Sequence, residues 1–236
     1  MKKVCVFIFL ISNFLFCERG IYVIKKAKGK IKIDGVIGKE EWEGATIIKK
    51  FYRSGDLNKK VHSKTTVYIL YDDKYLYIAG KMEDKDIFAD VKGEDAPVWK
   101  NDVFEVFIKP KFYSSHYYEI DTNPIGAIFD AFFPRKRAGF SRFVKYSSGV
   151  KVATKIKGSL NNWRDIDNGW EVEEAIPFSA FSQTTSPPKN GDIWYFSICR
   201  YDYSVYLKRG VELTSSAKLH RRTFHLYNDY DKLIFK

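Results

Sequence analysis

Apolar positions recur with a period of two along most of this chain, which is the repeat of a strand with one buried face. Runs rich in β-branched and aromatic residues predict strands over 21–25, 30–33, 65–71, 75–82, 103–109, 116–122, 128–133, 150–156, 170–176, 193–201 and 232–235. No stretch keeps a 3.6-residue repeat for more than two turns. The connections carry turn chemistry: Tyr71-Asp72-Asp73-Lys74 has the make-up of a hairpin loop, Asp34-Gly35 closes an early strand before a short helical turn at 40–42, and 177–181 reads as a brief helical turn. Many short strands at regular spacing predict an all-β fold. The expected form is an antiparallel β-sandwich of jelly-roll or immunoglobulin-like architecture, with alternate residues in the core.

That alternation sorts candidate chemistry onto faces. In 103–109, Phe104, Val106 and Ile108 share the face expected to enter the core, while Val103, Glu105 and Phe107 share the other. Glu105 therefore sits on an apolar surface and needs a partner, either an arginine or a sugar hydroxyl. Trp99 just upstream offers a flat plate for the C–H face of a pyranose; packing at an edge and a structural ion pair are the plainer roles for this pair of residues. The following strand adds Glu119 and Asp121 beside Tyr117, then Asn123 and Asp130. Arg200 closes the face of Trp194, Phe196 and Ile198, where it is the natural counter-ion of a buried carboxylate.

Other chemistries leave thinner traces. Glu105, Glu119 and Glu173 are the carboxylates that could form a glycosidase pair. His62, His116, His220 and His225 show no zinc spacing. Asp84, Asp86 and Asp90 are oxygen-rich without forming a calcium-loop motif, and read as a solvated turn. No phosphate loop or nucleophile elbow is present.

Lys2 and Lys3 followed by the apolar run 4–16 read as an export signal, giving residues 1–17 as signal and 18–236 as a single domain. Cys17 marks either the cleavage point or a lipid attachment site. The run is too short to span a bilayer, and no later segment comes closer, so no transmembrane segment is expected. An exported, periplasmic, secreted or cell-surface location follows. With Cys5 removed, only Cys17 and Cys199 remain, which argues against a disulfide framework. The formal charge is +11, and +9 without Lys2 and Lys3. The basic residues are scattered over turns and outer faces, a pattern of solubility that, with the export signal, sets nucleic acid aside as a partner.

The ordered set of motifs resembles the family 9 carbohydrate-binding modules and their DOMON-like relatives. The matching blocks are Ile33-Asp34-Gly35 with Glu41-Trp42; Tyr71-Asp72-Asp73 and Tyr75-Leu76-Tyr77; 99–108; 117–130 with Asn123 and Gly126; Gly158-Ser159-Leu160-Asn161; Gly169-Trp170-Glu171-Val172-Glu173 leading to Ile176-Pro177-Phe178; and Gly191-Asp192-Ile193-Trp194 with Arg200. The resemblance implies a sandwich that holds a poly- or oligosaccharide non-catalytically on a concave sheet face, between two tryptophan rings. Trp99 and Glu105 match the first ring and the ligand-bonding carboxylate. Asp102, Asp121, Asn123 and Arg200 are the further ligand or shell candidates. The stretch 216–224 has no tryptophan for the second ring, leaving His220, Tyr203 or Trp163 as alternatives. No cofactor is implied beyond the structural calcium that family members can carry, whose ligands do not transfer to positions here. Two rival readings are a cell-envelope assembly domain that has lost sugar binding and a haem-binding relative using Met82 and a histidine.

Overall fold

The computed structural model describes residues 18–138 and 145–236; the predicted signal and Cys17 lie outside them. Thirteen strands run in chain order: β1 (Ile21–Ile24), β2 (Thr46–Ile48), β3 (Tyr52–Arg53), β4 (Thr65–Tyr71), β5 (Tyr75–Met82), β6 (Val103–Lys109), β7 (Tyr117–Thr122), β8 (Ile128–Phe133), β9 (Lys151–Lys157), β10 (Gly169–Pro177), β11 (Ile193–Tyr203), β12 (Val211–Ser215) and β13 (Asp231–Phe235). They form two sheets. One has the order β1-β13-β11-β6-β7-β8, with β12 beside the far half of β11 and β3 beside β12; the other has the order β2-β4-β5-β10-β9. The pairings are antiparallel except β1 with β13.

The inner faces of the sheets meet as the alternation requires. Phe104, Val106 and Ile108 of β6, Tyr118 and Ile120 of β7, and Phe196 and Ile198 of β11 pack against Val67, Ile69, Ile78 and Val172 of the other sheet, all essentially without solvent contact. Gly169 opens β10 at φ +119°, where an added Cβ would stand 1.9 Å from the Met82 carbonyl oxygen, so only glycine lets β10 start against the end of β5.

Both outer faces also carry covers, each with its own buried cluster. Ile31, Ile37 and Trp42 lie on Leu70, Tyr77, Ala79 and Ala175 of the smaller sheet. Glu173 clasps that cover, accepting from Trp42 Nε1 at 2.9 Å and from the backbone N–H groups of Asp34 and Gly35 at 3.0 and 2.9 Å. The expected strand at 30–33 is absent for this reason: its alternation is real, but Ile31 and Ile33 use it to pack down onto a sheet face, not to join an edge. On the larger sheet the segment 216–230 lies over Val103, Phe107, Tyr117 and Cys199 through Ala217, Leu219, Phe224, Leu226 and Tyr230.

Candidate functional site

Cross-strand register lays acidic groups in rows on the outer face of the larger sheet. Cys199, Glu105, Asp121 and Phe129 stand opposite one another on β11, β6, β7 and β8; the adjacent row is Ser197, Phe107, Glu119 and Ala131. Glu105, Glu119 and Asp121 thus converge, each offering an oxygen within 4.8 Å of the others, and all three are buried. Two carboxylates opposite each other are ordinarily destabilising. Here burial, reinforced by the charge of Glu119, pushes Glu105 well above the usual carboxylate range. Burial raises Glu119 to about 8 despite the pull of Arg137. Asp121 is raised by burial and by Glu105, Glu119 and Glu174. Both Asp121 oxygens and one Glu119 oxygen lack a hydrogen-bond partner.

Above this floor lies a hollow of about 350 Å³, lined by Trp99, Glu105, Phe107, Glu119, Tyr201 and Phe224, with Phe133 and His225 on one side and Arg137, Arg222 and Thr223 at the mouth. Trp99 is half-buried and meets Phe129 edge-on at 5.0 Å. His225 Nδ1 lies 2.9 Å from the Tyr117 hydroxyl, which also accepts from the Arg137 backbone N–H at 3.2 Å. Burial, with Arg137 and Lys136 nearby, lowers His225 to about 4. Burial thus favours the neutral imidazole, whose tautomer sets which of the two groups donates.

The residues expected to bond ligand separate into groups. Trp99 and Glu105 line the hollow, whereas Asp121, opposite Glu105 in the register, is fully buried behind it and is not among the lining residues. Asp102 and Arg200 are on the inner side of the sheet. Asp102 accepts from the backbone N–H groups of Phe88 and Tyr203, both at 2.6 Å. Arg200 Nη2 is 2.9 Å from Asp84 and 3.6 Å from Asp202, with Nη1 donating to the Lys64 carbonyl. Burial opposes the charge on Arg200, but Asp202, Asp84 and Asp102 outweigh it and hold the guanidinium protonated. Asn123 donates to the Val91 carbonyl and to Asn101 Oδ1, and accepts from the Ile125 and Ala127 N–H groups. Together Asn101, Asp102 and Asn123 brace the 98–100 turn that carries Trp99, and the Tyr203 hydroxyl donates to the Trp99 carbonyl at 3.0 Å. His220 pairs with Asp229 and is half-exposed, outside the lining.

Tyr201 and Phe224 also line the hollow; Phe224 lies in 216–230, which has no strand period and so gave no signal in the sequence. Trp163 and Tyr203 line a separate hollow of about 370 Å³ with Phe88 and Val205, although Tyr203 stacks nearly parallel to Tyr201, 6.1 Å away. Asp84, Asp86 and Asp90 turn to different partners, Arg200, the Val205 N–H and Asn101 respectively. The Asp84, Asp102 and Asp202 trio converges beside Arg200, which pairs with Asp84 and Asp202. Met82 is sealed in the inter-sheet core beside Trp170, an arrangement without the open face an axial haem ligand needs.

A family model described as carbohydrate family 9 binding domain-like matches residues 33–218. The chain belongs to this family. Among solved structures, a Bacteroides uniformis protein described as a candidate carbohydrate-binding protein superposes with a TM-score of 0.70 at 18% identity, over 93% of this chain and all of that one. A family 9 carbohydrate-binding module of Caldicellulosiruptor kristjanssonii, solved with cellotriose, gives 0.56 at 16% identity over 91% of this chain and 93% of its own. The same organism's module with glucose gives 0.56 at 15% identity, over 91% and 95%. No curated protein matched the sequence. Among the described residues, no helix is long and apolar enough to cross a membrane.

Proposed function

We propose that this family 9 domain holds a sugar of a poly- or oligosaccharide, without catalysis, in the hollow between Trp99, Tyr201 and Phe224, and that residues 1–17 direct its export, with Cys17 as the cleavage or lipid-attachment point. The observation that carries the site is one hollow lined by a half-buried indole and by the buried carboxyls of Glu105 and Glu119, one Glu119 oxygen lacking a hydrogen-bond partner. Unsatisfied buried oxygens are costly, and sugar hydroxyls supply both donors and acceptors to meet them. The volume lies at the small end of ligand pockets, about 300–1,000 Å³. The cellotriose and glucose complexes of the Caldicellulosiruptor modules agree with this ligand class.

Binding suits the site better than hydrolysis. A glycosidase pair needs one acid and one carboxylate, set apart in character by their surroundings. Glu105 and Glu119 are both pushed toward the protonated form, and Glu173 is committed to the cover of the other sheet. A glycan array followed by titration calorimetry tests the proposal. Dissociation constants of roughly 10 μM to 1 mM are expected for a sugar stacked on Trp99. Retention of all glycans at wild-type strength by a folded Trp99→Ala variant would refute the site.

A further inference from the structure

The mouth of the hollow is as informative as its floor. Arg137 and Arg222 both line it. Arg137 Nη2 reaches Thr223 Oγ1 at 3.4 Å, which sets its guanidinium beside the backbone that carries Arg222. Both side chains are exposed, and neither forms an ion pair with a carboxylate among the described residues. Arg137 is close enough to act on the charge of Glu119, Arg222 also lines a neighbouring hollow that holds Asp56, and the three carboxyls packed within 4.8 Å cannot all ionise. Even with one of them charged, the hollow keeps a net positive mouth.

The Arg137 backbone adds to this. Its φ of +49° is a left-handed conformation that non-glycine residues adopt at a cost of about 1–3 kcal/mol, and its N–H is tied to the Tyr117 hydroxyl. The side chain lines the hollow with Phe133 and His225. On the other side, the charge of Arg222 reaches Tyr203, the ring that stacks with Tyr201.

Resting on the sugar-binding reading, we propose that the ligand is an acidic sugar, its hydroxyls over the carboxyl floor and its anionic group, a uronate carboxylate or a sulfate ester, between Arg137 and Arg222. Guanidinium forks bind such planar or trigonal oxyanions with paired hydrogen bonds, and the field of two cations in a low-dielectric hollow exceeds that of the same charges on an open surface. The formal charge of +9 without Lys2 and Lys3 favours encounter with a polyanionic glycan, while the arginine pair gives the specificity.

Titration calorimetry at about 50 mM salt with matched trisaccharides (neutral, uronate and sulfated) tests this, using wild-type protein, Arg137→Gln/Arg222→Gln, and a control Lys30→Gln/Lys39→Gln with equal charge loss on the cover of the other sheet. At least one acidic ligand should bind ten-fold or more tighter than its neutral counterpart. The arginine pair variant should bring that preference close to one, while the lysine control keeps the preference; the uronate and sulfate arms identify which anion is held. Neutral sugars binding as well as both acidic ones, or a preference that survives in the arginine variant, overturns the inference and leaves sugar binding standing. If no trisaccharide binds, and Trp99 fluorescence is unmoved by any of them, the sugar-binding reading fails and the inference with it.

Discussion

Replacing Arg200 by methionine separates structural from ligand-contacting roles for a residue whose sequence context fits both. The guanidinium and the Asp84 side chain have no solvent exposure, and Asp202 almost none. Arg200 is the cation among Asp84, Asp102 and Asp202, so its removal leaves three buried acids facing one another. Breaking one partner from a buried ion cluster costs about 3–5 kcal/mol, against a total stability of about 5–15 kcal/mol for a domain. For a chain of this length that is a fall in Tm of roughly 6–20 °C. The loss has a pH signature. Burial already raises Asp84 to about 6 against the pull of Arg200, and without that pull Asp84 shifts further upward. Acids with raised folded-state pKa values stabilise the fold where they stay protonated and lose that contribution as pH rises. Urea denaturation at pH 5 and pH 8 should therefore show a larger deficit at pH 8. A deficit below 1 kcal/mol at both pH values, or a loss of sugar affinity at unchanged stability, would refute the structural role.

Three further outcomes follow from the same coordinates. Glu174, buried in the core with one oxygen accepting from Thr122 at 2.7 Å and the other unpartnered, is raised by burial to about 8 from 4.5, so its contribution declines between those values; Glu174→Gln should gain about 1–3 kcal/mol at pH 8.5 and little at pH 5, measured as Tm against pH. Gly169→Ala forces a Cβ into the Met82 carbonyl at positive φ and should cost more than about 2 kcal/mol in chemical denaturation, with tolerance of alanine counting against the close β5–β10 approach. Trp99→Ala should weaken sugar binding by at least ten-fold in calorimetry while Tm falls by no more than a few degrees, because the ring is braced by the backbone around it and does not fill the inter-sheet core.

Strand alternation made most of the sandwich legible, and it carried more about the site than the motifs did. Parity alone sets Glu105 apart from Asp102, which shares the core-facing register of Phe104, and likewise sets Arg200 with Ile198 and away from the hollow. The same parity lines Asp121 up with Glu105. What alternation could not reach were elements too short to show a period, such as Thr46–Ile48 and Tyr52–Arg53, and segments that cover a sheet without joining it. Residues 30–33 alternate like a strand yet lie as a cover. The segment 216–230 has no period at all, so Phe224, His225 and Arg222 gave no local signal, and their place in the hollow follows from the long return of the chain from β12 to β13.

The central claim, that a sugar ring sits against Trp99 above the Glu105–Glu119 floor, is tested most directly by a crystal structure with a bound trisaccharide. The account predicts a pyranose in van der Waals contact with the Trp99 indole, with hydroxyl oxygens 2.6–3.2 Å from Glu105 or Glu119 carboxyl oxygens. Clear density for the sugar elsewhere on the protein, with the Trp99 hollow holding only water, would contradict it.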